Sequence, residues 1–241
     1  MVENFEGIVL RTLRYNDTLL IADVYTRQRG RASFLVPVSH SKRSKVRSVL
    51  FQPLSMLSFT ASGHEGKRLW RVSSVQPYTI FSSIQANVVK SAIALFLSEV
   101  LVYALREEEP DVQLFNFLDR SFSLFDNLEE GYADFHIVFL SRLLRYLGIY
   151  PNLDNYTTGC YMDLAQGCAV NEQPHHASYL VPADAAGFVE LMQTGYDSLH
   201  TLSLNRKLRG GYLAILMLYY RLHIPDFPQI KSMEVLRELF D

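Results

Sequence analysis

From Phe5 to Thr79 the chain alternates short runs rich in Val, Ile, Leu, Phe and Thr with brief polar breaks. Five runs stand out: Phe5–Tyr15, Thr18–Thr26, Gly30–Val38, Leu50–Ala61 and Lys67–Thr79. Between them lie Asn16-Asp17, Gln28-Arg29-Gly30, Pro37 with the charged stretch that follows, and Ser62-Gly63 with Gly66. Runs of this composition bounded by Gly, Pro, Asn and Asp read as strands. In the second, Leu20, Ala22 and Val24 alternate with Ile21, Asp23 and Tyr25, the period-two pattern of a strand with one face in a core and the other partly wet. Five strands over residues 1–80, with a long charged link between the third and fourth, predict a small closed barrel of the oligonucleotide-binding (OB) type. Strand count alone leaves an SH3-like barrel open.

After Phe81 the period lengthens. Val88, Val89, Ala92, Leu95, Phe96, Glu99 and Val100 recur at helical spacing, and Ser82–Arg106 contains neither Gly nor Pro, which predicts one long helix ending at Glu107–Pro110. Asp111 is expected to cap a second helix reaching about Phe125. A third is expected from about Tyr132 to Leu147, where Gly148 and then Pro151 end it. Residues 149–183 read as irregular, because Pro151, Gly159, Gly167, Pro174 and Pro182 break every period. Asp184 is expected to cap a short helix to about Gln193. A long helix from about Leu204 to His223 and a last one opening at Ser232 complete the pattern. The fold class is thus α+β, with an OB barrel over residues 1–80 and a helical domain over 81–241 that carries a loop-rich insert at 149–183.

Charge adds a functional direction. The segment Ser39–Arg47 places Lys42, Arg43, Lys45 and Arg47 close together with no acid among them. Residues 1–80 hold twelve Lys and Arg against five Asp and Glu, while the whole chain holds 23 against 25, so a net charge of −2 conceals a basic barrel and an acidic remainder. Such asymmetry points to a nucleic-acid or membrane contact by the basic half. Arg11, Arg14, Arg27, Arg29, Arg31, Lys42, Arg43, Lys45, Arg47, Lys67, Arg68 and Arg71 are the candidate phosphate contacts. Single strands are also held by aromatic faces on which bases stack; Tyr15, Tyr25, Phe34, Trp70 and Tyr78 are the candidates, with core packing as the competing role of each. Side chains alternate along a strand, so Trp70 and Arg71 should face opposite ways, and the cations are the better candidates of the two. An acidic protein partner on the barrel is the alternative to DNA. In the helical part Arg142, Arg145, Arg206, Lys207 and Arg209 would suit an acidic, hydrophobic-ended peptide, although neutralising nearby acids is the more economical account of any one of them.

No nucleotide-binding glycine loop, GxSxG or HExxH pattern is present, and the seven histidines are scattered, so no enzymatic activity is expected. Cys160, Cys168, His175 and His176 fall together in the irregular insert and are the one candidate metal set. Their spacing is poor for zinc, which favours ligand pairs two to four residues apart. The longest apolar runs fall short of the ~20 residues needed to cross a bilayer. With an acidic rather than basic N-terminal segment and two cysteines, a reducing cytoplasm is the expected location.

Four blocks taken together resemble a known family. GIVLRTLRYNDTLLIADVYTRQRGRASFLVPV, the basic SKRSKVRSVLFQPLSML, LLRYLGIYPNLDNY and KSMEVLRELF are similar, in order and spacing, to the RecO recombination mediators of bacterial DNA repair. The resemblance implies an OB barrel followed by a helical domain, often with an inserted zinc module. It also implies binding of single- and double-stranded DNA, annealing of complementary strands, and loading of the recombinase RecA onto strands coated by single-stranded DNA-binding protein (SSB). RecR and sometimes RecF would be partners, no nucleotide cofactor would be used, and the location would be the cytoplasmic nucleoid. The chain departs from the family's zinc form, because the first C-x2-C pair falls on Tyr156 and Gly159 and the second has no counterpart near Gly187–Val189; the module is expected to be metal-free. The family's YxE turn is Tyr15-Asn16-Asp17 here. Ile137-Val138 stand where some relatives carry SSB-docking arginines.

Overall fold

The computed structural model describes residues 1–38, 45–63, 69–202 and 204–240. Strands β1 (Val2–Arg14), β2 (Leu19–Thr26), β3 (Gly30–Pro37), β4 (Met56–Ser62) and β5 (Leu69–Thr79) close into a barrel in the order β1-β2-β3-β5-β4. Each neighbouring pair is antiparallel except β3 with β5. This is the five-stranded, OB-like closure that the strand pattern predicts. Alternation sends Ala22, Phe34 and Trp70, which are direct cross-strand neighbours, into the core. Phe5 anchors that core, edge-on to Phe34 at 5.1 Å and to Trp70 at 5.4 Å between ring centroids.

The fourth run starts later than its composition suggests. Ser48–Leu50 is a single 3-10 turn, and β4 opens only at Met56. Leu54 takes a left-handed φ of 64° while buried, and a chain turning through that conformation cannot stay in a ladder.

Beyond the barrel, the expected long helix is two: α1 (Ser83–Ala86) and α2 (Val88–Ala104). The break is Asn87, whose backbone is extended and whose Oδ1 accepts from the N–H groups of Val89 and Lys90. The side chain caps the new helix instead of continuing the old one, as Asn does in competition with the backbone. Helix α3 (Val112–Asn127) is capped by Asp111, whose carboxylate accepts from Gln113 and Leu114. Asp126, near its end, receives the backbone N–H groups of Ser82, Ser83 and Ile84; burial opposes its charge, but these bonds outweigh it and hold the carboxyl below its usual range. Lys90 is buried beside it and donates to Ser83 Oγ at 2.6 Å and to the Asp126 carbonyl at 2.9 Å.

The chain divides into two compact units, Met1–Asn127 with Ile230–Leu239, and Leu128–Gln229 with the last two residues. The change from strand to helix near residue 80 therefore lies inside the first unit. The last helix, α8 (Ser232–Phe240), belongs there too: the Glu99 carboxylate on α2 accepts from the Lys231 and Ser232 N–H groups, capping α8.

The second unit contains α4 (Phe135–Tyr146), α5 (Pro182–Gln193), α6 (Leu199–Leu202) and α7 (Arg206–His223). Segment 149–183, expected to be irregular, instead holds a three-stranded sheet ordered β7-β6-β8, from β6 (Tyr161–Asp163), β7 (Cys168–Val170) and β8 (Tyr179–Leu180). Strands this short leave almost no periodic signal. Asp163 makes the turn between the first two: its Oδ1 accepts from Ala165 and Gln166, while Gly167 supplies a φ of 67°. Asp184 lies in the first turn of α5 but does not cap it; Val181 holds that position ahead of Pro182. Asn205 caps α7 through Leu208. His136 of α4 is fully buried, and desolvation, with Arg209 adding to it, pushes its pKa down to about 3.

Candidate nucleic-acid interface

The barrel sorts its predicted cations into two groups. Arg11, Arg14, Arg27, Arg29 and Arg31 are each engaged by an acid of the barrel. Asp23 of β2 is the central acid: 7% of its side chain is exposed, and it takes Arg11 at 2.7 Å, Arg31 at 3.1 Å and the Ser33 hydroxyl at 2.6 Å. Desolvation opposes its charge, yet the Ser33 and Arg11 hydrogen bonds and the two guanidiniums hold its pKa below the usual carboxylate value. Arg31 also donates to the carbonyls of Val102 and Leu105 at the end of α2, which ties barrel to helix. Arg29 grips Glu3 through two nitrogens, at 3.0 and 2.7 Å, and lies 4.8 Å from the Trp70 ring. Arg27 pairs with Glu6 at 2.8 Å, donates to Asn116 and stacks 4.4 Å over Phe115. Arg14 pairs with Asp17 at 2.7 Å on the exposed β1–β2 turn. Four of these five therefore also hold the fold together, through buried or part-buried acids, rings or helix-end carbonyls. A guanidinium so held offers little to a phosphate without first losing its partner.

Lys45, Arg47 and Arg71 form the second group. All three are exposed and none has an acidic partner among the described residues. Val46 explains the first two: it is 6% exposed in the barrel core, so its neighbours on either side project outward. The segment is fastened by the Val75 N–H donating to the Lys45 carbonyl at 3.1 Å, and the Thr12 hydroxyl donates to the Phe51 carbonyl at 2.8 Å just beyond. Arg71 lies between the buried Trp70 and Val72 and faces outward, as alternation requires. Lys42, Arg43, Lys67 and Arg68 lie outside the described residues.

Of the five aromatic candidates, three are core. Tyr25 is 2%, Phe34 0% and Trp70 6% exposed. Phe34 and Trp70 fill the barrel, and Tyr25 stacks on Phe115 of α3. Tyr78 is partly exposed but donates its hydroxyl to Asp119 at 2.8 Å. Tyr15, 63% exposed at the β1–β2 turn, is the one left facing water without such an anchor.

In the second unit, Arg142 is half-buried, 5.1 Å from the Tyr196 ring, and Arg145 lies 3.8 Å over Tyr150. Arg206 and Lys207 are exposed in the first turn of α7, and Arg209 pairs with the buried Asp134 at 2.6 Å. Ile137 and Val138 are fully buried. The four candidate metal ligands have other partners or stand apart. Cys160 contacts Thr157 and Asn171, and the Thr157 bonds hold its thiol below its usual pKa; His176 meets Asp163 at 3.1 Å. Among the described residues, no three His, Cys, Asp or Glu side chains are placed to hold one ion.

Sequence reasoning missed Asp23 as an organiser. Its signal was present: an acid on the outward side of a mostly buried strand must find cations nearby.

No helix among the described residues is long and apolar enough to cross a membrane. Residues 1–81 match the family described as recombination protein O, N terminal, and residues 85–234 match recombination protein O, C terminal. A protein of Bacteroides fragilis named DNA repair protein RecO is 46% identical over the full length of both chains. Its namesake in Phocaeicola vulgatus is 44% identical, again over the full length of both. That of Porphyromonas gingivalis is 34% identical over 98% of each. The barrel followed by helices, the order of the sequence blocks and these full-length matches agree: this chain belongs to the RecO family.

Proposed function

We propose that the chain serves DNA repair as a non-catalytic recombination mediator. Its barrel binds single- and double-stranded DNA through phosphates and lowers the repulsion that opposes pairing of two strands. Its helical part recruits RecR and SSB, so that RecA is loaded on SSB-coated strands, with RecF as a further partner; Arg142, Arg145, Arg206 and Lys207 are the proposed contacts there. The inserted three-stranded module works without metal.

One observation carries this reading: among the described residues of the barrel, five arginines pair with acids while Lys45, Arg47 and Arg71 are exposed and have no acidic partner. Four of the five acids in residues 1–80 are used on the five paired arginines. In the sequence the other seven Lys and Arg of residues 1–80 fall within 42–47 and 67–71, with Glu65 the one further acid. A local cationic excess of this kind suits a polyanion, which gains affinity by releasing condensed counterions.

Fluorescence anisotropy of a labelled mixed-sequence single strand across a salt series tests it. Log affinity should fall against log salt with a slope of about −0.7 per phosphate engaged. Changing Lys42, Arg43, Lys45 and Arg47 together to Ala should flatten that slope by about 3. Absence of binding by the wild type at low salt would remove the reading.

A further inference from the structure

Inside the first unit a cleft of about 200 Å³ lies between the loop ahead of β4 and the first two helices. The loop contributes Pro53 and Ser55, Phe81 and Ile84 come from α1 and the residues before it, and α2 contributes Ala94 and Leu95. Departures from regular structure shape both sides. Asn87 breaks the helical run, and the Ser91 hydroxyl donates to the Ile84 carbonyl at 2.6 Å, which fixes α1 against the start of α2. Opposite, Leu54 turns through its left-handed φ while its N–H donates to the Val9 carbonyl at 2.8 Å, so Pro53 and Ser55 are held to β1. A buried leucine in that conformation persists only where its surroundings over-determine it, and such positions gather at ligand sites.

The lining carries no charge. None of the described residues around the cleft is Asp, Glu, Lys, Arg or His. The segments that supply them, 48–63, 72–89 and 91–98, are free of all five in a chain that is 20% charged. Along α2, Val88, Ser91 and Leu95 recur at helical spacing and all three are exposed, Val88 at 68% and Leu95 at 45%. A lining of this kind does not suit nucleic acid, whose phosphates need cations, and it presents no set of ligands to a metal. Its volume lies below the range of about 300–1,000 Å³ typical of small-molecule pockets. It suits one large apolar side chain, the anchor that seats in a pocket at the charge-depleted core of a protein interface.

We infer that this cleft receives a partner protein, an uncharged stretch of whose surface inserts one large apolar side chain between Pro53, Ile84 and Leu95. The inference rests on the recruitment of proteins by the helical part proposed above, and adds to the arginine contacts of the second unit an apolar contact in the first.

The test measures binding of purified RecR and of purified SSB to wild type, Leu95→Glu, Gln85→Glu and Leu95→Met by surface plasmon resonance, with thermal melting as the check on folding. Gln85 also lines the cleft and is exposed, so each Glu places a charge in the lining without removing a core side chain. Both Glu variants should bind at least one of the two partners 10-fold or more less tightly, about the loss of an interface anchor, while Leu95→Met binds as wild type does and single-strand DNA affinity stays within about twofold in all. The partner so affected is the occupant. If wild type binds RecR or SSB and both Glu variants bind equally well, the cleft is overturned and recruitment stands. A wild type that binds neither protein overturns both. Self-association of wild type in sedimentation, lost in the Glu variants while RecR and SSB binding is unchanged, would place a second copy in the cleft and overturn the partner.

Discussion

The barrel's two sets of cations have the same chemistry and opposite roles. Arg11, Arg27, Arg29 and Arg31 are held against Asp23, Glu6 and Glu3, and several also lie on aromatic rings or helix-terminal carbonyls. Lys45, Arg47 and Arg71 are exposed and have no carboxylate partner among the described residues. A count of positive charge treats the two sets alike. Their difference teaches that a basic segment is a nucleic-acid candidate only to the extent that its cations lack intramolecular partners.

Removing the central acid should have the largest effect on this contrast. Asp23→Ala leaves two guanidiniums and the Ser33 hydroxyl facing an empty site. Breaking a buried pair costs ~3–5 kcal/mol; with Arg11 and Arg31 still partly in water, a loss of about 2–3 kcal/mol is expected. Urea unfolding would show it as a lower midpoint at unchanged slope. A near-neutral result would mean that these arginines are as free as the second set.

Next in size is the loss of binding. Changing Lys45, Arg47 and Arg71 together to Gln should flatten the salt slope of single-strand binding by about 2, at −0.7 per contact, and should move stability by no more than about 0.5 kcal/mol. The paired set should behave in reverse. Arg27→Gln with Arg29→Gln should cost about 1–2 kcal/mol of stability, since each loses a charge-assisted bond and a ring contact, and should leave the salt slope alone. An equal fall of slope in both variants would erase the distinction.

Acid sharpens the same contrast. The folded-state pKa of Asp23 is depressed, and so is that of Glu3, for which the Arg29 hydrogen bond is the largest cause. Carboxylates of this kind contribute stability above their unfolded pKa, and that stability is lost as pH falls through the depressed values. Asp23→Asn should therefore show a shallower loss of stability on the acid side than wild type, read from unfolding midpoints across a pH series. His136 acts over a neighbouring range in the second unit: its folded pKa of about 3 lies below the ordinary 6.5, so the unfolded chain binds the extra proton as pH falls through that interval. The smallest effect is expected at Arg14→Ala, because both partners of its pair are exposed; a change in melting beyond about 0.5 kcal/mol would contradict the ordering.

Much of the architecture was legible in the residues. Alternation in β2, the turn signals at Asn16-Asp17 and Gln28-Gly30, and the cap Asp111 are local instructions, because each rests on groups within a few residues of one another. Where reading failed, a local side-chain competitor was overlooked or the segment was too short. Asn87 divides a run that propensity alone would keep whole, and the sheet in 149–183 is made from strands of two or three residues.

The sequence by itself determined the five-strand-then-helix order, the opposite charges of the two parts, the absence of familiar catalytic motifs and the family resemblance. Only the tertiary structure decided which of the described cations are paired with acids. Asp23 meets Arg31 across the β2–β3 pair, and Glu3 of β1 meets Arg29 of the turn between β2 and β3, 26 residues away in sequence. Barrel closure put Trp70 inside and set Leu13, Ile21, Leu35 and Arg71 in one outward row. Composition counts charges and rings, but pairing in three dimensions determines which of them remain for a partner.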